Sequence, residues 1–259
     1  MMLGEDSNSA TFWEKCGDEV LAHNIRGVIM MGAHWDARGT NRIDVAMKPN
    51  PNKSPIAYRV IGMLNEAGFD TRCNDTFDWI HDTFLDLIHT FPGGCPPTII
   101  ISMNARFDLH LHARVGSVVA KLREENYLVI GTGGAVHNLY RNHWVQMLRY
   151  TNNFAQPVPP DAAMLEFRQA AEDVLVRNCR KGRKKGALVN AVIRLMKHPY
   201  YWDAHGTDDH FMAACFVSGV VDGSDGGEDE ECVLGAEDWE LVNMSNSQFR
   251  IGKWVSAQA

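Results

Sequence analysis

Three short, almost unbroken apolar runs constrain the fold of this chain most. They occupy residues 27–33, 98–103 and 127–131. A strand with one wet face alternates apolar and polar residues. A run without alternation is a strand covered on both faces, as in a parallel sheet held between helix layers.

Segments of helical period separate these runs. Residues 9–23 carry Phe12, Trp13, Val20 and Leu21 as their apolar members. Residues 58–67 follow Pro55 and stop at Gly68, a C-cap residue. Residues 109–125 set Val115, Val118, Val119 and Leu122 on one face. The order helix, strand, helix, strand, helix, strand predicts an α/β fold, a three-layer αβα arrangement with a mostly parallel central sheet. The second half is more helical. Residues 161–178 place Leu165, Phe167, Ala170 and Val174 at helical spacing, and residues 188–196 follow the same pattern. Residues 207–221 open with Thr207 and Asp208, good capping residues. Residues 222–231 read as a solvated glycine- and acid-rich loop, and residues 239–254 as a closing strand. No repeat or linker divides the chain, so residues 1–259 are expected to form a single domain.

A net charge of −7 without a basic stripe argues against a nucleic-acid surface. The one basic run holds Arg180, Lys181, Arg183, Lys184 and Lys185, and reads as a solvated helix end rather than an anion site. No apolar run reaches the roughly 18 residues of a membrane span. The N-terminus lacks the apolar core of a signal peptide. Six cysteines are scattered without a C-x-x-C pair. Reduced thiols in a cytoplasmic protein account for them.

Eleven histidines matter by position rather than number. In open α/β sheets, ligands bind beyond the carboxyl ends of the strands. His34 follows the first run. His137 follows the third, after the turn Gly131-Thr132-Gly133-Gly134. His210 opens an apolar helix, and His81 stands between Ile80 and Asp82. Several imidazoles around one divalent cation, with positions left open, suit Fe(II) or Zn(II). Each ligand needs an acceptor for its other nitrogen, and Asp36, Asp82, Asp208 and Asp209 are near in sequence. His23, His89, His110, His112, His143 and His198 read as structural. The glycine-rich turn lacks a P-loop lysine and the dinucleotide register. It reads as a tight turn that lets His137 approach the centre.

Taken together, Ala33-His34-Trp35, the stretch from Gly131 to Leu139, and Thr207-Asp208-Asp209-His210 resemble a family. The chain is similar along nearly its whole length to the class III extradiol ring-cleavage dioxygenases, in the DOPA-dioxygenase-like branch and most of all to its fungal members. The resemblance implies a metal-dependent dioxygenase that opens a catechol-type aromatic substrate with O2. It implies Fe(II) or Zn(II) held by His34, His137 and His210. It matches His137 to a ligand in the DOPA-like branch and to an acid/base in other members. It matches His81 to the histidine of an Asp-His-Gly motif, here flanked by Ile80 and Asp82, and so to proton transfer beside the substrate. Neither nucleic acid nor membrane is an expected partner.

Two departures accompany the resemblance. The family opens with a strand ending in Ser-His-Gly, whose histidine is a further ligand. Residues 1–7 here resemble the stretch immediately after that motif, so the chain reads as truncated at its N-terminus. The connection leading into Tyr58 is also shorter than the family's. The alternative expectation is a catalytically impaired relative that keeps the fold and a zinc ion.

Overall fold

The computed structural model describes residues 6–48, 55–179, 182, 184–224 and 230–253. The first half runs α1 (Asn8–Ala22), β1 (Gly27–Met31), β2 (Asp36–Ala37), β3 (Arg42–Lys48), α2 (Pro55–Glu66), β4 (Asp70–Cys73), α3 (His81–Thr90), β5 (Thr98–Ile101) and β6 (Met103–Asn104). The second runs α4 (Leu109–Val119), α5 (Lys121–Glu124), β7 (Tyr127–Gly131), α6 (Val145–Tyr150), α7 (Ala162–Asn178), α8 (Ala187–Arg194), α9 (Tyr201–Ala204), α10 (Asp209–Gly223), β8 (Cys232–Glu240) and β9 (Met244–Ile251).

The central sheet has five strands in the order β4-β3-β5-β1-β7. β1 runs parallel to both β5 and β7, and β3 runs parallel to β4. β3 and β5 are antiparallel. The sheet is therefore mixed but mostly parallel, as expected from the sequence. Side chains alternate along β1, and each set meets its own helix layer. Ile29 and Met31 join a core with Val60 of α2, Val115 of α4 and Phe216 of α10. Val28 and Met30 pack with Val20 of α1 and Leu87 of α3. Both faces are dry, which is why the run carries no polar residue.

α4 and α10 touch through their backbones. A Cβ added to Gly116 would lie 2.0 Å from the carbonyl oxygen of Phe216, and one added to Gly219 would lie 1.8 Å from that of Ala113. Only hydrogen fits at either position. This contact fixes α10, whose first turn carries His210.

β3 and β4 escape a search for apolar runs. β3 carries Arg42 and Asp44, whose side chains pair at 2.5 Å, and β4 is a short edge strand with Asp70 and Arg72. The helical pattern over 109–125 divides at Ala120 into α4 and α5. The tail does not close the central sheet. β9 pairs antiparallel with β8 in a separate two-stranded ribbon. Its turn places Leu241 at φ 49° and Val242 at φ 71°. A β-branched residue avoids this region unless its surroundings compensate. Val242 is fully buried, and Leu241 is bonded through its N–H to Asn153 and through its carbonyl to the N–H of His143.

The basic-run residues Arg180, Lys181 and Arg183, positions 225–229 of the acidic loop, Trp254 and positions 1–5 lie outside the described residues. Among those described, no helix is long and apolar enough to cross a membrane.

Candidate functional site

Three separate elements meet at the end of β1. The chain leaves the strand at Gly32 and Ala33 and presents His34 to the first turn of α3. There Asp82 Oδ2 accepts the backbone N–H of His34 at 2.9 Å and stands 3.3 Å from its Nδ1. Thr132, just past β7, donates its hydroxyl to the carbonyl of Asp82 at 2.8 Å. His81, the first residue of α3, holds its ring 4.5 Å from that of His34.

His210 enters from the first turn of α10 and is buried. Its Nδ1 accepts the backbone N–H of Gly134 at 3.0 Å, which turns Nε2 toward Nε2 of His34 at 3.2 Å. His137 is held by its backbone. Its N–H donates to Ala204 at 2.8 Å, in a parallel bridge with His205. Its ring stacks on His210, with centroids 3.5 Å apart and planes 15° apart. The structure thus gathers His34, His81, His137 and His210 from four distant points of the chain.

The glycine-rich turn owes its glycines to close packing. Gly131, Gly133 and Gly134 do not take positive φ. A Cβ on Gly133 would sit 2.2 Å from the carbonyl oxygen of His210. The glycine is there for close approach to α10, not for a left-handed turn.

The electrostatics divide the cluster. The hydrogen bond that His34 donates to Asp82 holds its imidazole above its ordinary value. Burial pushes Asp82 up, but the bonds and charge of His34 outweigh it and hold the carboxylate below its usual range. Burial pushes His137 down to about 4, against the opposing pull of Asp209. Burial, aided by the neighbouring imidazoles, takes His210 well below its ordinary value. His34 therefore points a hydrogen-bearing Nδ1 at a carboxylate, while His137 and His210 are neutral rings at pH 7.

The donor set fits a divalent cation at one pair. Two imidazole nitrogens bound at about 2.1 Å to one cation stand roughly 3.0–3.4 Å apart. The Nε2 atoms of His34 and His210 meet that spacing. Asp82 supplies the carboxylate that a ligating histidine needs behind it. At His210 the Gly134 contact places the ring hydrogen on Nε2, so ligation through Nε2 requires the other neutral tautomer, with the hydrogen on Nδ1 and the Gly134 contact given up. The parallel stack directs the in-plane lone pairs of His137 and His210 along separate planes. Among the described residues, no group of three His, Cys, Asp or Glu side chains forms a ready metal cage.

Two of the other candidate acceptors are engaged elsewhere. Asp208 caps no helix N–H and instead accepts the hydroxyl of Tyr201 at 2.8 Å. Asp209 accepts from Thr207 at 2.6 Å and from the N–H of His210 at 3.0 Å. His112 is structural, bonded between the N–H of Asn104 and the carbonyl of Asp108. Sequence reasoning passed over two features beside the cluster. His205 is buried among Phe167, Tyr201 and Phe211, and only its place before Gly206 in the same segment signals it. Trp35 stacks on Phe77 with centroids 3.9 Å apart, an aromatic wall next to His34. A concavity of about 470 Å3 lined by Asp6, Tyr150 and Phe154 holds none of the histidines.

No family model matches the chain. It is 21% identical over 270 residues to the 4,5-DOPA dioxygenase extradiol of Escherichia coli K12, covering 97% of this chain and 91% of that one. It is 28% identical over 205 residues to the protein of the same name from Portulaca grandiflora, covering 78% and 66%. A 4,5-DOPA dioxygenase extradiol-like protein of Schizosaccharomyces pombe matches at 23% over 231 residues, covering 81% and 71%. The crystal structure of an uncharacterized Escherichia coli K12 protein superposes with a TM-score of 0.74 at 19% identity, over 95% of this chain and 93% of that one, which establishes the fold. Over most of its length, this chain is similar, at 21–28% identity, to proteins named 4,5-DOPA dioxygenase extradiol.

Proposed function

We propose that the protein is a metal-dependent extradiol dioxygenase that opens a catechol-type aromatic ring with O2. The observation that carries this reading is the facing pair of Nε2 atoms on His34 and His210, with Asp82 behind His34. Fe(II) bound there would supply the redox chemistry that lets a catechol and O2 react at one centre, whereas Zn(II) would supply Lewis-acid polarisation alone.

The chain's own residues have distinct tasks in this proposal. His34 and His210 hold the cation. Asp82 fixes the tautomer of His34 so that Nε2 keeps its lone pair. His137, neutral at pH 7, accepts a proton from a substrate hydroxyl. We assign it this role rather than that of a third ligand because its ring lies parallel to His210. His81, on the exposed side of His34, exchanges protons with solvent. Trp35 and Phe77 offer an apolar face to an aromatic ring. Free cysteines support a reducing, cytoplasmic setting.

The test is direct. The full chain is loaded with Fe(II) without oxygen and then given a substituted catechol in air. O2 uptake should match the appearance of a yellow ring-opened product, and His34→Ala should abolish both. Lack of product from the iron-loaded chain would overturn the proposal. It would favour a catalytically impaired relative that keeps the fold and a zinc ion, a reading supported by the lack of a third convergent ligand among the described residues.

A further inference from the structure

His205 is only 1% exposed, and neither of its ring nitrogens has a hydrogen-bond partner. Among the described residues, no other buried side chain leaves two polar atoms unmatched. Phe167, Tyr201 and Phe211 enclose the ring, with centroids 5.4, 5.3 and 5.5 Å from it. Tyr201 does not serve it, since its hydroxyl donates to Asp208 at 2.8 Å. An unmatched buried imidazole destabilises a fold, and an apolar side chain in the same box would not. Packing alone therefore does not account for a histidine here.

The position of the ring supplies the missing reason. The backbone of His205 bridges in parallel to His137, whose N–H donates to Ala204 at 2.8 Å. The turn before His137 is held at its other end by Gly134, which donates its N–H to Nδ1 of His210 at 3.0 Å. Ala135 lies between these two anchors. Burial, with His137 nearby, pushes His205 down to about 3, while the carbonyl of Ala135 pulls the other way. That carbonyl is the polar group the ring faces, in a geometry that falls short of a hydrogen bond. At pH 7 the ring is neutral and has one N–H to offer.

Ligation through Nε2 of His210 gives up the Gly134 contact, so the turn loses one anchor when a cation binds. We infer that His205 is a positioning residue that replaces this anchor, its ring N–H taking the carbonyl of Ala135 and holding the turn that carries His137. Contacts of this kind are often long in an unliganded site and tighten in the complex. The inference rests on the cation site proposed above.

Proton–nitrogen NMR of the histidine rings, on the full chain without metal and then with Zn(II), tests it without turnover. With Zn(II), the His205 ring N–H should shift downfield and exchange with solvent about 10-fold more slowly, while the Gly134 amide exchanges faster. His205→Leu, in the iron-loaded chain with a substituted catechol, should melt no lower than wild type yet lose about 10-fold in kcat at unchanged KM. His205→Asn and His205→Gln each keep an N–H near one ring nitrogen, and one of them should restore kcat in part. Zn(II) uptake that leaves the His205 N–H unmoved would overturn the inference and leave the cation site standing. So would His205→Leu with wild-type kcat, or failure of both amide variants to restore it. A chain that takes up no Zn(II) would overturn the cation site and the inference together.

Discussion

Asp82 holds His34 twice with one oxygen, taking its backbone N–H at 2.9 Å and standing 3.3 Å from Nδ1. The arrangement fixes both where the residue sits and which nitrogen is free. Asp82→Asn keeps the size and removes the charge. Affinity for Co(II) or Zn(II) should fall by about 10–100-fold, as for other residues placed behind metal-bound histidines. Metal titration checks this, and an unchanged melting curve would show that the fold is intact. An unaltered affinity would mean that His34 does not depend on its carboxylate.

His137 separates the two roles that one histidine could play. If it moves protons, His137→Ala should keep its metal and lose turnover by about 10²–10⁴-fold. Metal analysis and initial rates on one preparation give both numbers. Loss of the metal along with the activity would make His137 a ligand instead.

Acid should destabilise the metal-free protein before it reaches the carboxylate range. Burial pushes His137 to about 4 and His205 to about 3, and takes His210 well below its ordinary value. Unfolded, each of the three takes a proton near pH 6.5. The unfolded chain then binds more protons between about pH 6.5 and 4, so stability falls as pH falls through that window. Asp86 opposes this. Burial, with Asp82 nearby, pushes it up to about 8, so the folded chain keeps a proton there that the unfolded chain has lost. His112, also lowered by burial, adds to the uptake, so unfolding near pH 5.5 takes up protons on balance. Asp86→Asn should raise that uptake by about one proton. Denaturant midpoints at several pH values measure the slope, and a stability that rises on acidification would contradict it.

The α4–α10 contact gives a prediction away from the histidines. Gly219→Ala drives a Cβ against the backbone of Ala113. Overpacking of this kind costs about 1–3 kcal/mol. Urea unfolding should show the loss. A neutral result would mean that the two helices can separate without penalty.

The sheet centre was legible because β1 and β5 are buried on both faces and must be continuously apolar, while β7, at the edge and only partly buried, still packs apolar side chains against both layers. β3 and β4 were not, because charge pairs such as Arg42–Asp44 replace apolar residues near the rim. The β8–β9 ribbon was hidden by its turn. Leu241 and Val242 sit where asparagine and glycine ordinarily announce a hairpin, and burial supplies what the local sequence does not. At the site, strand ends and a helix start nominated His34, His137 and His210, and the fold gathers them. Which nitrogen faces which partner was not readable. That depends on a backbone N–H from Gly134 and on an aspartate 48 positions away from His34.

Equilibrium binding of Fe(II) or Co(II) under anaerobic conditions tests the central claim most directly. The full chain should bind one cation, and His34→Ala and His210→Ala should each bind none, while His143→Ala binds as wild type does. A wild-type chain that takes up no metal, or binding that survives loss of both His34 and His210, would contradict the account.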